Sequence, residues 1–491
     1  MEHSLEEMPP CNGHDIRLRD IISKLVYLAV PLAVENSLWY ASNIISTIFI
    51  GHLGKQELAA VVLGESVFNV TGFSLIIGLT SGCQTLLPQA YGAKRYAAMG
   101  IIAQRAALIC LLFSALIILA WTQLERLLLL LGQEASLSTA AARYIHLSSP
   151  ALVVLTISSI IRCILTAQLD ILPCTGLSIV TTLLTPLLNW LLIYHWELRL
   201  DGAAWANVAE ACTYFLLLAG YFLWRESKLR QKGQHTLQTW SLDPFRGWGA
   251  YLSIALPGLA MTCLEWWTYE VMVIMAGLLP DVATSVAVMG VSFDITTITY
   301  MLPSGISEAL ETIMSNHMGA GNARAARLSL KAALGVGTGT VFVTASTVFA
   351  GRSLWPKIFT PDSRIVALAS SVLVILAVAS IFDGIMCIFR GAVTALGRQS
   401  VGAAFAFGCY WCVGIPLAIL LGFKAGLGVQ GLWLALLVAS ALGCAAMAVF
   451  LGRLDWDKEA LRIATSMAEE EVREAEETQR LLPATNGSGS M

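Results

Sequence analysis

The sequence predicts an all-α polytopic membrane protein, with twelve transmembrane helices in two six-helix lobes related by internal duplication. Three observations carry that prediction. Hydrophobic residues make up 56% of the 491 and charged residues only 13%, against roughly a quarter charged in a soluble domain; mean hydropathy is +0.70. About twelve apolar stretches each approach the ~20 residues a helix needs to cross a bilayer. The chain is also written twice. MSNHMGAG around Gly319 sits opposite LPQAYGAK around Gly92, Arg390-Gly-Ala-Val-Thr-Ala opposite Arg162-Cys-Ile-Leu-Thr-Ala, and GVQGLW with Gly431 opposite RLDGAAW with Gly202, at offsets of 227, 228 and 229.

In chain order the first copy places its spans near 25–48, 58–79, 100–121, 144–168, 171–196 and 202–224. The second places them near 251–276, 283–312, 326–349, 368–394, 398–421 and 428–452. This organises the chain as an N-terminal segment 1–24, a first lobe 25–224, a linker 225–250, a second lobe 251–453 and an acidic tail 454–491. So long a period excludes short-repeat solenoids. Six spans per copy keep both copies in one orientation, related by an axis along the membrane normal. Residues 1–20 are polar and acidic, so the first span is expected to act as its own insertion signal. Lys and Arg concentrate in the loops on the side of Arg17, Lys94, Arg225, Arg246, Arg324 and Arg398, which places both termini and the linker in the cytoplasm.

Several function classes are excluded. A net charge of −3 with no basic tract gives nucleic acid no surface to bind. There is no GxxxxGK[ST] loop for ATP, no nucleophile–base set and no Cys/His cluster of metal-binding spacing, so neither an enzyme nor a bound metal or other cofactor is expected. Most of the eleven cysteines lie within the spans and read as small apolar residues.

Ionisable groups at membrane depth mark the working part, because they are costly there and usually face a cavity. The second lobe concentrates them: Glu265 and Glu270 in span seven, Asp294, Glu308 and Glu311 in span eight, and Asp383 midway along span ten. Five residues separate Glu265 from Glu270, about 140° net around a helix, so the two face different ways. Glu265, Asp294 and Asp383 at mid-depth are candidates to load and release protons; the alternative is hydrogen-bonded packing between helices. The first lobe carries Glu35 and Glu65. Glu35 does not fall on the repeat position of Glu265, which is Ser37, so the chemistry of the two copies has diverged. Glu210 and Asp170 read as polar packing or loop residues. Trp39 and Tyr40 in span one, Trp266, Trp267 and Tyr269 in span seven, and Tyr300 in span eight form an aromatic set beside these acids that suits planar or cationic organic compounds.

IGHLG at 50–54, NVTGFSLIIGL at 69–79, QAYGAKRY at 89–96, CLEWW at 263–267, YMLPSG at 300–305, MGAGN at 318–322 and LDWDKE at 454–459 resemble one family. It is that of the multidrug and toxic compound extrusion (MATE) transporters, in its eukaryotic, plant-like branch, over about residues 20–460. The resemblance implies two six-helix lobes flanking a cleft and export of organic compounds in exchange for H⁺ or Na⁺. It also implies ion coupling through second-lobe acids at the positions of Glu265, Asp294 and Asp383. The chain departs from the family in three places. Ser46 stands where many bacterial members carry an aspartate, Gln84 precedes Thr85-Leu86 where plant-like members have glutamate, and Thr394 replaces the usual arginine of span ten, with Arg390 one turn earlier.

The expected activity is therefore that of a monomeric secondary antiporter. It would export organic cations or amphipathic metabolites and xenobiotics for protons rather than Na⁺, with lipid and a small organic substrate as its partners. The alternatives are an organic-anion exporter using Arg390 or Arg162, and an uncoupled channel or sensor. Its membrane is the plasma membrane or a vacuolar, lysosome-like one. Glu477-Thr-Gln-Arg-Leu481-Leu482 in the tail matches an acidic dileucine sorting signal for the latter.

Overall fold

The computed structural model describes residues 17–237 and 243–481, with side chains through Glu469. Twelve long helices form the body: α1 Leu18–Gly51, α2 Lys55–Gly92, α3 Tyr96–Trp121, α4 Ala135–Ala167, α5 Leu172–His195 and α6 Arg199–Gln231, then α7 Trp248–Ala276, α8 Val282–Gly319, α9 Ala323–Ala350, α10 Ser363–Ala395, α11 Gln399–Lys424 and α12 Gly428–Gly452. Eleven of them are apolar and long enough to cross a membrane. The remaining one, α7, has the length, 29 residues, but Glu265, Glu270 and the Trp and Tyr between them lower its hydropathy. Leu183, Leu216 and Val343 stand 73%, 67% and 66% exposed on the outside, as a lipid-facing wall requires and an aqueous one would not tolerate. Several helices overrun their apolar stretches; α6, expected over 202–224, runs from Arg199 to Gln231. Twelve crossings return the chain to the side where it began.

The duplication is written into the backbone more plainly than into the side chains. Lys94, Leu169, Glu197 and Arg199 have left-handed φ values of 59°, 64°, 54° and 50°; at Gly321, Gly397, Gly426 and Gly428 they are 73°, 67°, 70° and 55°. The offsets are 227, 228, 229 and 229, so each turn of the first copy recurs in the second, where glycine supplies the conformation without Cβ strain. Pro31 in α1 and Pro257 in α7 match at 226. The π-helical turn Trp190–His195 in α5 recurs as Leu420–Lys424 in α11.

The two halves meet along α1–α8 and α2–α7, and α2 crosses α8. The seam is two-fold in character. A Cβ on Gly92 would strike the backbone of Asn316, and one on Gly319 the backbone of Gln89, where 319 − 92 = 316 − 89 = 227. Gln89 donates to Ala395 O at 2.9 Å and Asn316 to Ala167 O at 3.3 Å, again reciprocal. Gly78 lies against Leu259 of α7 and Gly305 against Ala33 of α1. These contacts all fall in the half of the bundle that carries the chain ends, and there the lobes are closed on each other.

A further helix, α13 Trp456–Leu481, follows α12, its N-terminus capped by the Asp455 carboxylate on Lys458 N–H (3.2 Å). Trp456, Ala460 and Ile463 are buried, and the helix lies across the ends of α8 and α9. Glu459 is paired with Arg398 and Arg462. Burial opposes its charge, but the two guanidiniums outweigh that and hold its carboxyl below the usual range. Arg95 of the first lobe donates to Met467 O at 2.8 Å, so α13 touches both halves.

Because Glu197 is exposed and left-handed, Glu197→Gly is expected to stabilise the protein by about 0.5–1 kcal/mol and Gly426→Ala to destabilise it by about 1 kcal/mol. Thermal unfolding in detergent checks both, and equal effects of the two would deny that the turns are equivalent.

Candidate functional site

Two arginine–carboxylate centres sit inside the bundle, one per copy. In the second copy Arg390 of α10 reaches Glu265 of α7, Nη1 to Oε2, at 2.9 Å, with both side chains largely buried. In the first, Arg162 of α4 reaches Glu35 of α1, Nε to Oε1, at 3.0 Å. The arginines are repeat partners (390 − 162 = 228). The glutamates are not, since Glu35 lies four residues after Pro31 and Glu265 eight after Pro257. Four residues are close to one helical turn, so both acids occupy the same face of their helix and a long guanidinium can meet either. The divergence expected from the numbering is therefore a one-turn displacement of a shared ion pair.

The neighbours of the two pairs differ. Around Glu265, Tyr300 of α8 donates at 3.4 Å. Next to it Asp383 of α10, also buried, accepts from Tyr269 of α7 at 3.3 Å and Tyr410 of α11 at 3.5 Å. Around Glu35, Tyr214 of α6 donates at 3.0 Å, and Arg162 also binds Glu308 of α8 at 2.8 Å. Asn36 donates to the other oxygen of Glu308 at 2.9 Å and to Ser304 Oγ at 3.1 Å. Glu35 Oε2 and Glu311 Oε1 are buried without a hydrogen-bond partner among the described residues. Leaving one member of such a buried pair uncompensated costs several kcal/mol, which is why each guanidinium is matched.

The sequence-predicted residues therefore separate. Glu265, Asp383 and Tyr300 come together in the second lobe. Asp294 does not join them through a bond: it accepts from Tyr40 of α1, across the seam, at 2.8 Å. Glu270 is half-buried and carries no ion pair among the described residues. Trp267 donates to Val70 O at 3.2 Å, a carbonyl at the π-helical turn Asn69–Phe73 of α2, where the helical ladder is disturbed. Trp39, Phe73 and Trp266 form a continuous aromatic row across the seam, with centroids 5.0 and 6.4 Å apart. Trp39 and Phe73 also line a small cavity of about 50 Å³ in the first lobe, together with Glu65, Tyr144, Asn207 and Glu210. Glu65 accepts from Tyr144 at 3.3 Å, and Glu210 lies near Ser42 and Thr185. Asp170, read as a loop residue, pairs with Arg225 and accepts from Tyr221 at the end of α4. Glu477 and Leu481 lie in α13, while Leu482 is outside the described residues.

Sequence reasoning missed the pairing roles of Arg162 and Arg390, and missed Tyr410, Tyr214 and Asn36 altogether. The duplicated arginines were a visible signal, since a cation preserved at the same depth in both copies requires an acid opposite it. Nothing in an apolar span marks which tyrosine will reach which carboxylate.

Comparison with known proteins gives one picture. The MatE family model matches residues 31–191 and again 257–420, two stretches whose starts lie 226 and whose ends lie 229 residues apart. Protein DETOXIFICATION 17 of Arabidopsis thaliana is 32% identical over 91% of this chain and 92% of its own length. Multidrug and toxin extrusion protein 1 of Mus musculus is 34% identical over 88% of this chain and 75% of its own. The crystal structure of the eukaryotic MATE transporter AtDTX14 superposes with a TM-score of 0.86 at 28% identity, covering 91% of this chain and 99% of that one. The Vibrio cholerae MATE transporter VcmN in its bent form shares the fold alone, with a TM-score of 0.78 at 18% identity, covering 91% and 98%.

Glu265→Gln and Arg390→Gln should each lower stability by about 3–5 kcal/mol. The double variant should lose less than the sum of the two, by more than about 1 kcal/mol. A double-mutant cycle on thermal unfolding measures this, and strict additivity would mean that the pair is not formed.

Proposed function

The chain belongs to the MatE family of membrane transporters, and from that premise we propose that it exports organic cations or amphipathic metabolites and xenobiotics in exchange for protons. Glu265 and Asp383 would be the coupling acids. It is an integral multi-pass transporter and not an enzyme. The observation that carries the coupling assignment is Asp383. It is buried at mid-helix, and its hydrogen-bond donors are the neutral phenols of Tyr269 and Tyr410. No cation among the described residues is bonded to it, so none of them competes with a proton for the site. Glu265 stands beside it, already matched by Arg390. A proton on Asp383 weakens its hold on Tyr269 and Tyr410, which belong to α7 and α11, and so alters how the helices around Glu265 pack. Asp294 and Glu270, half-exposed and free of a basic partner among the described residues, would attract a cationic substrate towards the aromatic row of Trp39, Phe73 and Trp266. Tyr300 and Trp267 would border that path, and Glu35 would act as the anchor of Arg162.

The anion-exporting alternative is disfavoured on the same geometry. Arg162 and Arg390, the mid-membrane cations it would need, are already neutralised by Glu35, Glu308 and Glu265. With the termini cytoplasmic, as the Lys and Arg distribution favours, lobes closed at the terminal end correspond to an outward-open state. Export then follows from rocking between this state and its inward-open counterpart.

Proteoliposome flux with ΔpH and ΔNa⁺ imposed separately tests the reading. At matched amounts of folded protein, Asp383→Asn and Glu265→Gln are expected to abolish ΔpH-driven transport of an organic cation such as tetraethylammonium. Glu197→Gln, in the exposed turn before α6, should retain it. Full coupled transport by Asp383→Asn would remove the proton role, and flux indifferent to both gradients would indicate a channel.

The address of the protein follows a separate signal. If the dileucine pattern works, Leu481→Ala with Leu482→Ala should shift a tagged protein from a vacuole- or lysosome-like membrane to the plasma membrane. Imaging decides it, and an unchanged location would remove the signal.

A further inference from the structure

We propose that Glu308 is a lock between the two lobes. Carried by α8 of the second lobe, its carboxylate clamps Arg162 and Asn36 of the first and holds the halves closed at the end that carries the chain termini. The proposal rests on the rocking of the lobes argued above.

The geometry is two-armed. Glu308 Oε2 lies 2.8 Å from Arg162 Nη2, and Oε1 accepts from Asn36 Nδ2 at 2.9 Å. The two first-lobe groups come from different helices, α4 and α1, so one second-lobe side chain ties down both. The partners are unequally anchored. Arg162 is also held by Glu35 within its own lobe and keeps a counter-charge whichever way the lobes move. Among the described residues the Glu308 carboxylate bonds only first-lobe groups. When the halves part, it loses both arms and faces Glu311, one turn further along α8 and itself buried with Oε1 unpartnered. Opening at this end therefore strands one carboxylate next to another in a medium where unpaired charge is costly.

The duplication supplies an internal comparison. The repeat position of Glu308 is Ser81 (308 − 227 = 81), whose Oγ is buried against Gly258 without a hydrogen-bond partner among the described residues. Arg390, the repeat partner of Arg162, bonds Glu265 and Cys387, both in its own lobe. The close crossing of α2 and α8 is reciprocal, through Gly92 and Gly319 and through Gln89 and Asn316. The cross-lobe ion pair is thus an addition on one side of a symmetric interface, and symmetric packing does not require it. Glu308 lies 319 − 308 = 11 residues, about 16 Å along the helix, from the end of α8. It therefore acts deeper in the seam than the Gly92 and Gly319 crossing and close to Gly305, where a bond resists separation of the halves rather than sealing their rim.

The test uses spin labels at Ala97→Cys and Arg324→Cys, exposed repeat-equivalent positions at the starts of α3 and α9, on opposite sides of the seam. The background lacks the exposed and half-buried native cysteines, and the full-length protein is reconstituted in lipid nanodiscs. Electron–electron distance measurements should find mainly the short separation of the closed form, with a minor longer one. Glu308→Gln is expected to raise the long-distance fraction about fivefold or more. Glu308→Asp, one methylene shorter and unable to reach both partners, should give a smaller rise in the same direction. If Glu308→Gln does not yield folded protein, Asn36→Ala and Glu308→Asp carry the same expectation. Two distances in the parent with an unchanged ratio in the variants would overturn the lock and leave the rocking intact. A single distance in every protein would overturn both.

Discussion

A guanidinium inside a bilayer must be matched by a carboxylate, and most of this molecule's working architecture follows from meeting that demand twice. Arg162 and Arg390 occupy equivalent places in the two copies and each takes a glutamate from the first helix of its own lobe. The pairs fix α1 against α4 and α7 against α10 at mid-depth. Each of these carboxylates balances a guanidinium, and Asp383, held by phenols, is the buried acid next to the second pair that has no bonded cation among the described residues. The chemistry proposed for this protein lies in that difference between a charge that is balanced and one that is merely solvated by hydroxyls.

The closure of the lobes has a different physical basis. It depends on small residues where α2 and α8 cross. Gly92 and Gly319 bring backbone to backbone, and any side chain there would strike main-chain atoms that cannot yield. Because the two approaches are related by the duplication, the interface resembles that of a symmetric dimer joined into one chain. Such an interface has no inherent preference about which lobe does the chemistry. The asymmetry comes from a few substitutions: Asp383 and its tyrosines in one lobe, the cavity around Glu65 and Glu210 in the other, and Glu308 spanning between them.

The left-handed turns show how the two copies have drifted. Lys94, Leu169, Glu197 and Arg199 occupy conformations that glycine supplies in the second copy, so the backbone path has outlasted the residues that best suit it. Side-chain identity at a repeat position is thus a poor guide to shared geometry here. Glu35 and Glu265 make the same point from the other direction, since they are one turn out of register and yet meet equivalent arginines.

Membrane residence, helix count and duplication were legible in the sequence because each is a property of long stretches: apolar runs of bilayer length, a low charge fraction and motifs recurring at 227–229 residues. So was the short list of acids worth attention, since a carboxylate in an apolar run is conspicuous in one dimension. The partners of those acids were not legible. Which tyrosine reaches Asp383, that Arg162 binds acids from both lobes, and that Asp294 faces Tyr40 across the seam rather than Glu265 all depend on how helices separated by up to some 270 residues are rotated and set against one another. A hydropathy pattern that is apolar nearly all round a buried helix leaves that rotation unspecified. Only close packing at the glycine crossings and the need to pair each buried charge select it, and both act between segments that the linear sequence keeps apart.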